Sequence, residues 1–173
     1  VVKESWAKQL AGVAWKDAGL FAEIPNGTGV RGPFLFTHQG ITGPAVFALS
    51  SLIAFETYDV SHPLTLRIDL FPELLADQLY HRVQDIVSQH PRKFMKALFE
   101  MLMPRSLADA LLLHTRLDNG QHLCEQGNTK WHEVVTFLKG VPLTLIGRSA
   151  GEEFVTAGGV DTDDVNPRTM ESR

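Results

Sequence analysis

The sequence predicts an α+β fold: a β-barrel- or sandwich-like unit interrupted by an inserted small helical bundle. Two observations carry this prediction. Apolar residues alternate with period two near both ends of the chain, whereas between Pro72 and Gly140 they recur at helical spacing. Ten Phe and three Trp, in a 173-residue chain that is 44% hydrophobic and 21% charged, supply enough apolar mass for a core. The expected division is residues 1–71 and 141–160 for the β unit, 72–140 for the helical insertion, and 161–173 for a segment that returns to another domain of a longer protein.

Each element has a local reason. From Leu10 to Phe21, the apolar residues Val13, Trp15, Leu20 and Phe21 with Gly12 and Gly19 between them read as strand and turn. Pro25 to Gly29 is a loop, because Asn-Gly favours positive φ. Val30 to Thr37 returns as a strand with Phe34, Leu35 and Phe36 buried. The stretch Thr37-His38-Gln39-Gly40-Ile41-Thr42-Gly43-Pro44 reads as a tight turn entering a helix, with Thr42 as N-cap and Pro44 in the first turn. That helix runs through Ala45, Leu49, Leu52 and Ile53. Leu64 to Leu70 alternates apolar and polar residues, as a strand with one wet face does.

Beyond Pro72 the period becomes helical. Leu74, Leu75, Leu79, Val83, Ile86 and Val87 form one stripe, which Pro91 ends; Phe94, Leu98, Met101 and Leu102 form a second. Pro104 begins a third helix through Leu107, Leu111 and His114. Asn128 and Thr129 cap a fourth through Trp131, Val134, Val135 and Leu138, with Gly140 as its stop. Strands resume at Val141–Ile146 and Glu153–Thr156.

Composition excludes more than it reveals. A formal charge of −4 gives no general nucleic-acid footprint, so no nucleic-acid partner is expected. The single Cys124 excludes an internal disulfide and a multi-cysteine metal site. The seven His fall in no metal-ligand spacing, so no metal is expected. No Gly-x-Ser-x-Gly, Gly-x-Gly-x-x-Gly or Walker-type loop occurs. The longest apolar run, Ala45 to Phe55, is too short to span a membrane, and residues 1–6 lack a signal-peptide pattern, so a cytoplasmic protein is the expectation. The absence of an initiator Met suggests an excised piece of a longer chain.

Two motifs remain. In the first, His38 sits on a glycine-rich turn at a helix start, where free backbone N–H groups favour negative charge. The bland alternative is a histidine that packs or locks the turn. The second is Phe154 to Val160, a strand ending in Thr156-Ala157-Gly158-Gly159, followed by Thr169-Met170-Glu171-Ser172. Such glycines bring bare backbone close to a ligand ring or merely to a neighbouring strand.

Together, in order, Leu35–Pro44 and Val155–Val160 with Thr169–Ser172 resemble the bacterial flavoprotein family of NAD(P)/FAD-dependent, aminoacetone-oxidase-like oxidoreductases. Asp69-Leu70-Phe71-Pro72, Met103-Pro104-Arg105-Ser106-Leu107 and Phe137-Leu138-Lys139 extend the likeness over nearly the whole chain. The resemblance implies an insertion of barrel and helical bundle within an FAD domain, with both halves of the FAD site outside this sequence. Its implied role is a substrate-side region that covers the flavin and is inactive alone. No cofactor is expected in this chain by itself, and use of NAD(P)H is left open. The implied partners are the parent's own FAD-binding domain and a small-molecule substrate. The implied site has His38 as the catalytic candidate, Thr156, Ala157, Gly158 and Gly159 facing the flavin, and Thr37, Gly40, Thr42 and Gly43 on the substrate side. The alternatives are a non-catalytic protein-interaction module or a small-molecule-binding barrel.

Overall fold

The computed structural model describes residues 1–148 and 161–172, apart from Asn26, Arg116 and Asn119. Five antiparallel strands form one sheet: β1 (Ala14–Ala22), β2 (Thr28–Phe36), β3 (Ile41–Thr42), β4 (Leu64–Asp69) and β5 (Val141–Leu145), in the order β3-β2-β1-β4-β5. Strands β4 and β5 are neighbours in register from Leu64↔Leu145 to Ile68↔Val141, although the whole helical block separates them in sequence. The expectation of a β unit interrupted by a helical insertion therefore holds: strands on both sides of the helices share one sheet.

The sheet curls, and the first residues of the chain fill the gap between its two edges. On one side, the Val1 nitrogen donates to Gly147 O at 2.8 Å, Ile146 N donates to Val1 O, and Lys3 N to Thr144 O. On the other, Val2 N donates to Gln39 O at 2.9 Å. Glu4 continues the seam by accepting from Thr144 N. Val2 is fully buried, so this closure is also part of the core. A short helix, α1 (Ser5–Gln9), follows and buries Trp6 and Ala7. Sequence periodicity did not anticipate it, because five residues are too few to display a helical stripe.

Helix α2 (Pro44–Leu52) packs Ala45 and Leu49 on β1 and β2, and Ile53, just past its end, is buried with them. Its N-cap is Gly43, not Thr42: Thr42 pairs with Leu35 in the β2–β3 ladder and makes no capping bond. Gly43 has φ +117, and an added Cβ would lie 3.1 Å from Phe34 Cα and 3.2 Å from Pro33 O. At Gly40 a Cβ would lie 3.1 Å from Val2 N, in the path of the closing segment.

The helical block contains α3 (Ala76–Gln89), α4 (Met95–Leu102), α5 (Arg105–His114) and α6 (Asn128–Leu138). Its core includes Leu79, Val83, Met95, Leu98, Phe99, Leu107, Leu111 and Trp131. Leu75, expected on the buried stripe, lies outside it as the exposed N-cap of α3. Among the described residues no helix is long and apolar enough to cross a membrane.

One polar junction ties this block to the sheet. The Lys139 ammonium lies 2.6 Å from Asp69 Oδ2 and donates to Phe71 O and Leu74 O at 2.9 and 2.7 Å. Asp69 Oδ1 accepts from Phe71 N, and Leu70 N donates to Leu138 O. Asp69 was expected on the wet face of β4; it is buried because this network satisfies it.

Two outcomes follow from this packing. Lys139→Met removes the cation and leaves a buried carboxylate uncompensated, so it should lower unfolding free energy by about 3–5 kcal/mol, with the double variant Asp69→Asn/Lys139→Met recovering part of the loss; denaturant titration reads both. Gly43→Ala meets backbone as well as an unfavourable φ and should cost about 1–3 kcal/mol. Gly120→Ala is the control, since Gly120 has φ +73 but open space around its Cβ position, and its loss should be smaller.

Candidate functional site

The Thr37–Gly43 turn is held from within and from both flanks. Thr37 N donates to Gly40 O at 2.7 Å, and Gly40 N donates to Thr37 O and, at 3.1 Å, to Thr37 Oγ1. Gln39 N also donates to Thr37 Oγ1, so the threonine hydroxyl organises the loop's own amides. His38 sits at the tip. It is exposed, and its ring makes no hydrogen bond, ion pair or ring contact among the described residues. A turn-locking hydrogen bond, the structural alternative for this residue, is therefore not what its side chain does here. The backbone of Thr37, Gln39 and Gly40 does the locking.

The glycines of the turn have an internal explanation. Gly40 makes room for Val2, and Gly43 makes room for the β2 backbone at Pro33 and Phe34. Neither is bare because a ligand needs the space. The same point tests the fit of a dinucleotide. The glycine-lined places at this turn are filled by the chain's own backbone, which leaves no phosphate cradle there. What the described residues offer at the turn is an exposed imidazole on a rigid backbone, able to hold a proton for a group bound by another part of a longer protein.

Thr156, Ala157, Gly158 and Gly159, and the strand expected at Glu153–Thr156, lie outside the described residues. The segment from Asp161 to Ser172 is described. It forms a local turn closed by a Val165–Ser172 bridge, with Met170 at φ +60 and exposed.

A residue that motif reading passed over is Arg148. Its Nη2 donates to Ile53 O, Ala54 O and Glu56 O at 2.9–3.0 Å, and its guanidinium lies 4.7 Å from the Tyr58 ring centroid. It thus fastens the segment leaving β5 to the C-terminal end of α2. No sequence pattern marks it, because a lone arginine beyond a strand has no periodic signal. Elsewhere, an open cleft of about 500 Å³ lies between α6 and the outer face of β4 and β5, lined by Arg67, Thr129, His132, Glu133 and Gly140 among others. It shares no residue with the turn. Among the described residues no group of three or more His, Cys, Asp or Glu could hold a metal ion.

Three characterised proteins are similar in sequence. A 3-dehydro-bile acid delta(4,6)-reductase of Clostridium scindens is 27% identical over 143 residues, covering 82% of this chain and 35% of that protein. A ribosomal RNA dihydrouridine synthase of Escherichia coli is 29% identical over 166 residues, covering 95% of this chain and 38% of that protein. The ribosomal RNA dihydrouridine synthase of Haemophilus influenzae is 27% identical over 143 residues, covering 80% and 32%. The chain thus spans about a third of the length of the curated relatives it matches. Over residues 1–154 the sequence matches the family described as HI0933-like protein barrel and H2TH domain, and the chain belongs to that family, which is linked to flavoprotein oxidoreductases.

Proposed function

We propose that this domain is the substrate-side region of a longer FAD-dependent reductase, and that the reaction saturates a carbon–carbon double bond conjugated to a carbonyl. The observation that carries the reading is the place of the His38 turn. It is stitched by Val2 to the seam where the start of the domain and the end of β5 run side by side. Adjacent connections of this kind suit a domain spliced into another one. A turn stitched to such a seam would face the remainder of a longer polypeptide.

The relatives support this reaction class. By their names one is a 3-dehydro-bile acid delta(4,6)-reductase and the other a ribosomal RNA dihydrouridine synthase, and reduction of a ring double bond is common to both names. The aminoacetone-oxidase-like label agrees with this at the level of flavin oxidoreduction, while the named relatives favour reduction of an alkene over oxidation of an amine. A formal charge of −4 gives this domain no general nucleic-acid footprint, in keeping with a small-molecule substrate, although two of the named relatives act on ribosomal RNA.

The division of labour follows from what this chain holds. Reduced flavin, held by the FAD-binding part of the longer protein and re-reduced by a nicotinamide, would supply the hydride. Reduction at the carbon β to the carbonyl would build negative charge on the carbonyl oxygen, and a proton reaching the α carbon would complete the saturation. An imidazole held over that oxygen can donate a hydrogen bond or a proton to it. His38 is built for this contact, because its backbone is fixed by Thr37 and Gln39 while its ring is free. Thr37, Gly40, Thr42 and Gly43 set the height and direction of the tip, and Thr156–Gly159 would approach the flavin from the other motif.

The test is His38→Asn in the full-length protein, assayed with a cyclic enone and with NADH or NADPH as reductant. Folding and FAD content should match the parent while turnover falls by about 10²-fold or more. Unchanged turnover removes His38 from the chemistry. A purified full-length protein without flavin removes the reductase reading.

A further inference from the structure

We infer that α2 is a two-sided helix whose outer face is an intramolecular docking surface for the flavin-bearing remainder of the longer polypeptide. This rests on the reading above and names the surface through which the two parts meet.

One face of α2 is already used, with Ala45, Leu49 and Ile53 buried against the sheet. The opposite face carries Pro44, Phe47, Ala48, Ser51 and Leu52 at helical spacing, and Phe55 follows in the turn just past the helix end. All six are exposed, with Phe47 at 59%, Leu52 at 55% and Phe55 at 87%. The only polar member is Ser51, and its hydroxyl is turned inward to Ala48 O at 2.8 Å. No charged residue occurs between Gly40 and Ala54. A helix that faces water on one side normally carries charges there; one that is apolar all round is normally covered on both sides.

Three observations identify the cover. The face begins at Pro44, directly after the His38 turn, so it is continuous with the candidate site. The segment leaving β5 is pinned by Arg148 to the far end of the same helix, so the exit from β5 lies at α2. The relatives are roughly three times as long as the matched region, which supplies a large occupant in the same chain. A second copy of the domain would cover the patch equally well chemically, but it would not explain why the exit strap is anchored there.

Hydroxyl-radical footprinting of the intact full-length protein tests this without mutation. Phe94 and Phe21, 47% and 48% exposed and away from α2, are internal controls. Phe47 and Phe55 should be oxidised roughly tenfold more slowly than these controls, since a docked aromatic loses its water. The protection should persist unchanged on hundredfold dilution. Oxidation of Phe55 at or above the rate of Phe94 overturns the proposal. Protection that vanishes on dilution assigns the face to a second copy and also overturns it. As a second readout, Phe55→Glu should raise oxidation at Phe47 and open a protease-sensitive connection near residue 148, while spectroscopic helix and sheet content stay unchanged. None of these readouts needs flavin or turnover, so they stand or fall separately from the reductase reading.

Discussion

A curled five-stranded sheet has two edges, and the rest of this structure depends on how they are joined. Left open, β3 and β5 would each present unpaired N–H and C=O groups, a template for unwanted pairing. Residues 1–3 remove the problem by bonding to Thr144, Ile146 and Gly147 on one side and to Gln39 on the other. This closure sets the identity of residue 40, because Val2 passes where a side chain would stand. It also fixes the backbone of the turn that carries His38. The rigidity of the candidate site is thus a by-product of sealing a barrel, which is an economical way to hold one free imidazole on a fixed base.

The helical block adds a second constraint of a different kind. Between β4 and β5 the chain makes a long excursion, from Leu70 to Gly140, and must return in register to pair Val141 with Ile68. The Asp69–Lys139 pair sits where the excursion starts and ends. Its extra bonds to Phe71 and Leu74 carbonyls satisfy the ammonium fully, so the burial of two charges is matched by hydrogen bonds on both partners. Trp15 reinforces the same point, with Nε1 donating to Leu70 O at 3.0 Å and its ring set edge-on to Phe71. The bundle can then vary in its outer contacts without disturbing the strand register.

The features legible in the sequence were those with a period. The alternation in β4, the helical spacing of α3 to α6 and the stops at Pro91 and Gly140 are local patterns, and the structure repeats them, except that Phe94 and Met101 of the second stripe are exposed while Met95 and Phe99 are buried. Features set by distant backbone were not legible. Gly40 and Gly43 read as turn residues, and the backbone that passes where their side chains would stand, at Val2 and in β2, is not visible in the local pattern. Thr42 looked like a cap, yet it completes a strand ladder with Leu35. Asp69 looked solvated because its partner lies seventy residues on, at Lys139. Arg148 carries no motif, and its role appears only when β5 and α2 are seen side by side. In each case a pairing across the fold overrides a correct local propensity.

The same logic bears on α2. Apolar residues on the inner face of a surface helix are explained by the sheet beneath them, and an uncharged outer face is not. Fully burying a phenylalanine side chain contributes about 1.5–3 kcal/mol, so Phe47 and Phe55 represent stabilisation that the isolated domain does not realise. On α4, by contrast, Lys96 and Glu100 occupy the exposed side and join Arg105 and Asp109 in an ion-pair network. Exposed apolar residues also occur singly on the helical block, at Leu75 and Leu113, but there they are scattered, whereas on α2 they share one uncharged face beside the His38 turn. On the docking proposal that face and the Arg148 strap meet protein, and a candidate catalytic side chain on the same side would be shielded from solvent when the longer polypeptide closes over it.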